Sequence, residues 1–319
     1  MPSATQGPTL AGSFRIFTLR GISVYVHWSW LVVGYLELQF RANSYQSQAW
    51  NVAEYLSLFL IVLLHEFGHA LACRQVGGTA NEIVLWPLGG IAFVNPPPRP
   101  GAVLWSIAAG PLVNVALAPV TIGAYIYATS HGLDRTDQAA GHFLFAVMGI
   151  NLVLLIFNIL PIYPLDGGQI LQALLWFVIG RAKSLLVVCV IGMIASVAAI
   201  GLAIFYWQSI WIGIMAAFAA FRCWTGFQQA RLLAQLENAP RHRNAACPSC
   251  EAHPLAGEFW QCNECKTRFD TFVHNAVCPR CGMQFSLTAC PECGRVHPIW
   301  AWYGHEGKAS NERDDPERS

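Results

Sequence analysis

The chain has 319 residues, 55% of them hydrophobic and only 12% charged, with a mean hydropathy of +0.41. That balance excludes an ordinary water-soluble domain and predicts an all-α polytopic membrane protein in contact with a lipid bilayer. A formal net charge of +1 supplies no concentrated basic face, which argues against nucleic acid as a partner.

Met1 to Gly21 lacks a short apolar core followed by a small-residue cleavage site, so no cleavable signal peptide is expected. Apolar runs of about 20 residues mark candidate membrane helices. They fall at Val24–Leu38, Val52–Val76, Ala102–Ala128, Gly141–Leu160, Ser184–Phe205 and Gln208–Trp224, about six in all. An even number puts both termini on one side. Arg15, Arg20, Arg74, Arg99, Arg181, Lys183, Arg222 and Arg231 flank the spans there, against Arg41 and Arg135 opposite, which predicts cytoplasmic termini in a cell-membrane protein. Between the second and third spans, Asn81–Pro87 and Gly90–Val94 read as strands joined by Leu88-Gly89. With Phe14–Leu19 and Ile22–Val26 they can form a small sheet. Open strand edges cannot face lipid, so the sheet belongs at the membrane surface or beside a polar cavity. Asn95 to Pro100, with four prolines, then reads as a stiff linker.

The second span carries His65-Glu66-Phe67-Gly68-His69 inside an otherwise apolar helix. Histidines four apart share one helix face and can bind a single Zn²⁺, with the glutamate between them in reach of a metal-associated water. Ionisable groups are costly in hydrocarbon, so their presence there points to function. The bland reading, two histidines bonding neighbouring helices, stays open on the motif alone. A catalytic zinc needs a third protein ligand. Asp166 is the best candidate: it follows Asn158-Ile159-Leu160-Pro161-Ile162-Tyr163-Pro164-Leu165 at the depth of His65, where prolines and Gly167-Gly168 interrupt the helix. Glu37, Glu54, Asp134 and Asp137 lie toward the opposite side. The competing role for Asp166 is a helix N-cap ahead of Gln169–Val178.

These stretches, with Pro87-Leu88-Gly89-Gly90 and Ala109-Gly110-Pro111-Leu112-Val113-Asn114, resemble the site-2 protease family of intramembrane zinc metalloproteases over residues 12 to 230. The resemblance implies zinc held by His65, His69 and Asp166, water activation by Glu66, and help from Asn158 in holding substrate or the oxyanion. It implies a transmembrane protein as substrate, cut in or near its membrane helix during regulated intramembrane proteolysis. A substrate helix must unwind before its carbonyls can be attacked, and the sheet edge at Gly90 and Ile91 can hold the unwound strand. Asn114 is a further substrate-side candidate, with helix–helix bonding as its rival role. His27 matches the family's entry into the first span but reads as structural.

After Arg243 the composition changes. Cys247/Cys250, Cys262/Cys265, Cys278/Cys281 and Cys290/Cys293 repeat C-x₂-C four times, which fits two closed, structural Cys₄ zinc sites and resembles tandem zinc ribbons. Taken in order, the first two pairs would close one site and the last two the other. Iron in the same geometry and disulfides are the alternatives, the latter disfavoured in a reducing compartment. Cys73, Cys189 and Cys223 read as packing residues. The expected organisation is a membrane metalloprotease domain at 1–237, a linker at 238–246, ribbons at 247–302 and a disordered tail at 303–319. With few basic residues, the ribbons favour a protein partner. The rival from another class is a silent scaffold or adaptor; the intact His, Glu, His and Asp set argues against it. One catalytic and two structural zinc ions complete the expectation.

Overall fold

The computed structural model describes residues 12–40, 45, 47–86, 89–132, 138–206 and 208–308. Expectations for the amino terminus before Gly12, Arg41, the Pro87-Leu88 turn, Asp134, Arg135, Asp137 and residues 309–319 lie outside these. Two compact units divide the chain, Met1–Arg231 and Leu232–Ser319.

In the first unit, strands β1 (Ser13–Leu19), β2 (Ile22–His27), β3 (Thr79–Trp86) and β4 (Gly89–Asn95) form one sheet in that order. The two outer pairs are antiparallel and β2 runs parallel to β3, from Ser23 opposite Glu82 to Val26 opposite Leu85. A parallel pair needs a long crossover. It consists of helices α1 (Ser29–Phe40) and α2 (Gln48–Gln75). Ile22, Val24 and Val26 alternate into a core with Ile83, Leu85, Val62, Phe67, Ala70 and Cys73, so the sheet packs on α2. Arg74, in the last turn of α2, donates to the carbonyls of Arg20, Gly21 and Ala80, tying that helix end to the sheet.

Helices α3 (Pro100–Ser130), α4 (Gln138–Ile159), α5 (Asp166–Ile179), α6 (Arg181–Phe205) and α7 (Ile210–Glu237) follow. Among the described residues, α2, α3, α4, α6 and α7 are long and apolar enough to cross a membrane. The expected first span starts differently: residues 24–27 belong to β2, and α1 has 12 described residues. That is a rise of about 18 Å against a hydrocarbon core of about 30 Å. The apolar alternation of β2 runs straight into α1, and composition alone merges the two.

Burial in this unit is inverted relative to a soluble bundle. Val153 and Ile156 on α4 are 65% and 64% exposed, while Asn51, Glu54, His65, Glu66, His69, Ser106, Asn114 and Asn151 are buried. Apolar side chains facing outward and polar ones inward are the arrangement lipid demands. The chain is an integral membrane protein.

In the second unit each C-x₂-C pair forms the same knuckle. The first cysteine's N–H donates to the carbonyl five residues on, and its carbonyl accepts from the N–H four residues on. That fourth residue is Glu251, Lys266, Gly282 or Gly294, all with positive φ. The glycine after Cys281 and Cys293 therefore occupies a left-handed position that costs other residues about 1 kcal/mol or more. Two-stranded ribbons β5 (Trp260–Gln261) with β6 (Arg268–Phe269) and β7 (Thr288–Ala289) with β8 (Val296–His297) flank the knuckles. A 3₁₀ helix, Ile299–Lys308, carries buried Trp302 and places the Tyr303 hydroxyl 2.8 Å from the Phe272 carbonyl, so ordered backbone reaches into the expected tail.

Candidate metal centres and catalytic site

Three ligand atoms converge at the heart of the helices. His65 Nε2 lies 3.0 Å from Asp166 Oδ2, His69 Nε2 3.3 Å from the same oxygen, and the two Nε2 atoms are 3.1 Å apart. Ligands about 2.0–2.1 Å from a tetrahedral Zn²⁺ stand about 3.3 Å from one another, so the triangle has the size zinc requires. The tautomers agree. His65 Nδ1 faces Asn114 Oδ1 at 2.6 Å and His69 Nδ1 faces the Ser106 carbonyl at 2.9 Å. Both partners only accept, so each Nδ1 carries the proton and each Nε2 offers a lone pair inward. Two lone pairs and a carboxylate facing one another repel unless a cation lies between them.

Local sequence explains these placements. The i, i+4 spacing on α2 brings the two imidazoles edge to face, with ring centroids 4.7 Å apart and planes at 81°. Pro111 interrupts the hydrogen-bond ladder of α3 beside Ile107, one residue after the Ser106 carbonyl that receives His69. The broken stretch after α4 ends at Leu165, and Asp166 opens α5. Gly110 of α3 lies against the imidazoles so closely that a Cβ there would overlap His69 Nε2 and approach His65 Nε2.

Glu66 is buried, and its Oε2 accepts the Ala92 N–H of β4 at 2.9 Å. Since β3 lies on the other side of β4, this bond shows the free edge of β4 turned toward Glu66. A Cβ at Gly90 would overlap the Glu66 side chain. Gly90→Ala is therefore expected to displace Glu66 or the strand and to break the Glu66–Ala92 hydrogen bond while His65, His69 and Asp166 stay in place; a structure of the variant checks it.

Of the other candidates, Ile91 pairs with Val84 in β4. Asn158 lies near the end of α4, half-buried, and makes no hydrogen bond to the triad among the described residues. Asn114 is fully buried behind His65 and bonds to it, so in this structure it backs the ligand. Glu54 takes the Tyr45 hydroxyl at 2.7 Å, apart from the triad. His27 stacks on Trp86 with centroids 4.3 Å apart, a packing role. Sequence reasoning missed Asn151, the Ser106 carbonyl and the Ala92 N–H. The last two are backbone groups, which no residue identity advertises.

The cysteines form two clusters, but not in sequence order. Cys247 and Cys250 join Cys290 and Cys293, while Cys262 and Cys265 join Cys278 and Cys281. The sites are nested, which corrects the expectation that adjacent pairs close each site. Sulfur separations are 3.8 Å (Cys247–Cys293), 3.7 Å (Cys250–Cys290) and 3.5 Å (Cys262–Cys281 and Cys265–Cys278). Thiolates about 2.3 Å from a tetrahedral zinc lie about 3.8 Å apart, whereas a disulfide would be near 2 Å. Burial raises the Cys247 thiol, but the N–H groups of Ser249 and Cys250 hold it down at about 7. The hydroxyl and N–H of Thr267 bring Cys265 to about 6. Met283 N–H favours the Cys281 thiolate, yet the surrounding sulfurs push it up to about 12. Such a set becomes fully ionised only around a cation. Nearby, Asp270 accepts from Gly257, Phe272 and His242, and against the opposing effect of burial these bonds hold its carboxyl below the usual range.

Nesting predicts an order of assembly. The inner loop, Cys262 to Cys281, closes over a short segment, and its formation brings the outer pairs toward each other. Removing Cys265 and Cys278 together is expected to cost both ribbon metals, while removing Cys250 and Cys293 costs one. Zinc counts on the purified variants test this, and loss of one metal from each would contradict it.

A buried His-His-carboxylate cluster that could hold one metal ion, with a glutamate beside it, thus lies among helices long and apolar enough to cross a membrane. The model of peptidase family M50 matches residues 53–135 and 120–202. The chain is 31% identical over 157 residues to YwhC of Bacillus subtilis, a protein with a provisional zinc-metalloprotease name, covering 39% of this chain and 70% of that one. It is 32% identical over 182 residues to a zinc metalloprotease of Methanocaldococcus jannaschii, covering 56% of this chain and 50% of that one. The chain belongs to peptidase family M50, the family of the site-2 proteases. It spans about half the length of the first curated relatives it matches. Among solved structures it matches the site-2 protease from Methanocaldococcus jannaschii with a TM-score of 0.47 and 22% identity, over 67% of this chain and 95% of that one.

Proposed function

We propose that this protein is an intramembrane zinc endopeptidase that hydrolyses peptide bonds in or near the transmembrane helices of membrane proteins, in regulated intramembrane proteolysis. The convergence of His65 Nε2, His69 Nε2 and Asp166 Oδ2 beside Glu66 carries this reading. The three residues hold the metal. A zinc ion held there supplies Lewis acidity to the scissile carbonyl and acidifies water to a pKa of about 7. Glu66 takes one proton as a water oxygen bonds to the carbonyl carbon, and returns it to the nitrogen as the C–N bond breaks, leaving a carboxylic acid, which then ionises by losing its proton to the amine or to water, and an amine. The free edge of β4 at Gly90 and Ile91 pairs with the unwound substrate strand, holding it extended next to Glu66. Asn158 assists at the substrate carbonyl.

The membrane domain covers 1–237 and the linker 238–246. The ribbons, 247–302, hold two structural zinc ions and recruit or gate substrate through a protein contact, ahead of a segment at 303–319 whose first residues, to Lys308, continue the 3₁₀ helix. The termini face the cytoplasm of a cell membrane. A panel of model transmembrane helices, incubated with the detergent-purified protein, tests the activity. Cleavage that stops with a zinc chelator, returns with added zinc and quickens with helix-breaking residues in the substrate is expected. No zinc-dependent cleavage of any member would favour a silent scaffold.

A further inference from the structure

Behind the proposed zinc site lies a pair of asparagines that the chemistry above does not use. Asn114 on α3 and Asn151 on α4 are both fully buried. Asn151 Nδ2 donates to the Asn114 main-chain carbonyl at 3.0 Å, Asn114 Nδ2 donates to Asn151 Oδ1 at 2.9 Å, and Asn114 Oδ1 faces His65 Nδ1 at 2.6 Å. We propose that Asn151 is a positioning residue that fixes the tautomer of His65 through Asn114, and so sets the zinc affinity of the site. The inference rests on the zinc-site reading above.

An amide side chain has two ends of opposite character, one donating and one accepting, and it can sit either way round. Only one end of this chain of bonds has no such freedom, because a main-chain carbonyl can only accept. Asn151 must therefore turn its NH₂ to that carbonyl and its oxygen to Asn114. Asn114 must then answer with its own NH₂, which leaves its oxygen for His65. An acceptor against Nδ1 requires a proton there and a lone pair on Nε2, the form that ligates a metal. Without Asn151, Asn114 is free to turn over. Its NH₂ would then meet Nδ1, hold the proton on Nε2 and block coordination. The backbone of α3 thus dictates, through two side chains, which nitrogen of His65 is bare. His69 needs no such relay, since its Nδ1 meets the Ser106 carbonyl directly.

Zinc affinity at the membrane site, measured on the full-length protein in detergent by competition with a chelator of known affinity, tests the proposal. Asn151→Leu keeps the branched outline without the amide, and Asn151→Ala removes the amide without adding bulk in case the larger leucine does not fold. Either is expected to weaken zinc at this site by about 10–100-fold, with both ribbon zincs retained. Asn114→Asp supplies the rescue. A carboxylate presents an acceptor to His65 whichever way it turns, so adding Asn114→Asp to Asn151→Ala should restore zinc affinity toward the wild-type value. Wild-type zinc affinity in folded Asn151→Ala, or the same loss with and without Asn114→Asp, would overturn the proposal. A wild type that holds only two zinc ions would overturn the parent reading and this one with it; a third zinc insensitive to Asn151 would overturn this one alone.

Discussion

Glu66→Gln is expected to lower the rate of cleavage by at least about 10²–10⁴-fold, the usual contribution of a positioned general base, while the zinc content stays at the wild-type value. The substitution is nearly isosteric. An amide oxygen can keep the hydrogen bond that Oε2 now accepts from Ala92 N–H, so β4 has no reason to move. What disappears is the capacity to take a proton. Glu66 is not among the atoms that converge on the metal position, which are supplied by His65, His69 and Asp166. Rate and zinc count should therefore separate. Turnover of a transmembrane substrate and metal analysis on one preparation check this, and a variant that cleaves at the wild-type rate would remove Glu66 from the mechanism.

The second large effect comes from a residue with no chemistry of its own. Gly110→Ala places a methyl on His69 Nε2 and close to His65 Nε2, the space where the metal has to sit. Its neighbour on that side is an imidazole fixed at its far end by the Ser106 carbonyl, so the ring cannot swing away without losing a buried hydrogen bond. The expected result is loss of the membrane-site zinc by about 100-fold or more in affinity, loss of cleavage, and retention of both ribbon zincs. Gly149→Ala is the control. A methyl at that position on α4 would meet nothing within 4 Å among the described residues, and zinc binding and cleavage should be unchanged. Competition with a chelator reads both variants, and Gly110→Ala with wild-type affinity would mean that the metal lies elsewhere.

Residue identity at helical spacing made His65, Glu66 and His69 legible, because a helix sets residues four apart one turn above each other, close enough to share a metal, whereas in a strand they lie about 13 Å apart. Asp166 was reachable by combining depth in the bilayer with the scarcity of acids at that depth. Asn151 was not, since a single asparagine in an apolar span carries no sign of which neighbouring helix it meets; Asn114 and Asn151 find each other only through the packing of α3 on α4. The cysteine spacings defined four knuckles and two tetrahedral sets, but adjacency in sequence suggested the wrong partners. Knuckle geometry is local, whereas the choice of partner depends on where buried Phe272 and Trp302 bring Cys247 and Cys290 together. The start of the first span failed for a related reason. Ile22–Val26 was legible as a strand, but Val24 to Val26 are apolar enough to be counted in the span as well, and their pairing with Ile83 to Leu85 of β3 decides for the strand.

The central claim is that this membrane-buried site hydrolyses a peptide bond. The direct test is to reconstitute the zinc-loaded protein in lipid vesicles with a transmembrane substrate in ¹⁸O-labelled water, and to read the product termini by mass spectrometry. The expected result is two complementary fragments cut in or near the membrane segment, with ¹⁸O in the new carboxyl terminus and neither fragment formed by Glu66→Gln. Intact substrate, or fragments that form equally with Glu66→Gln, would contradict it.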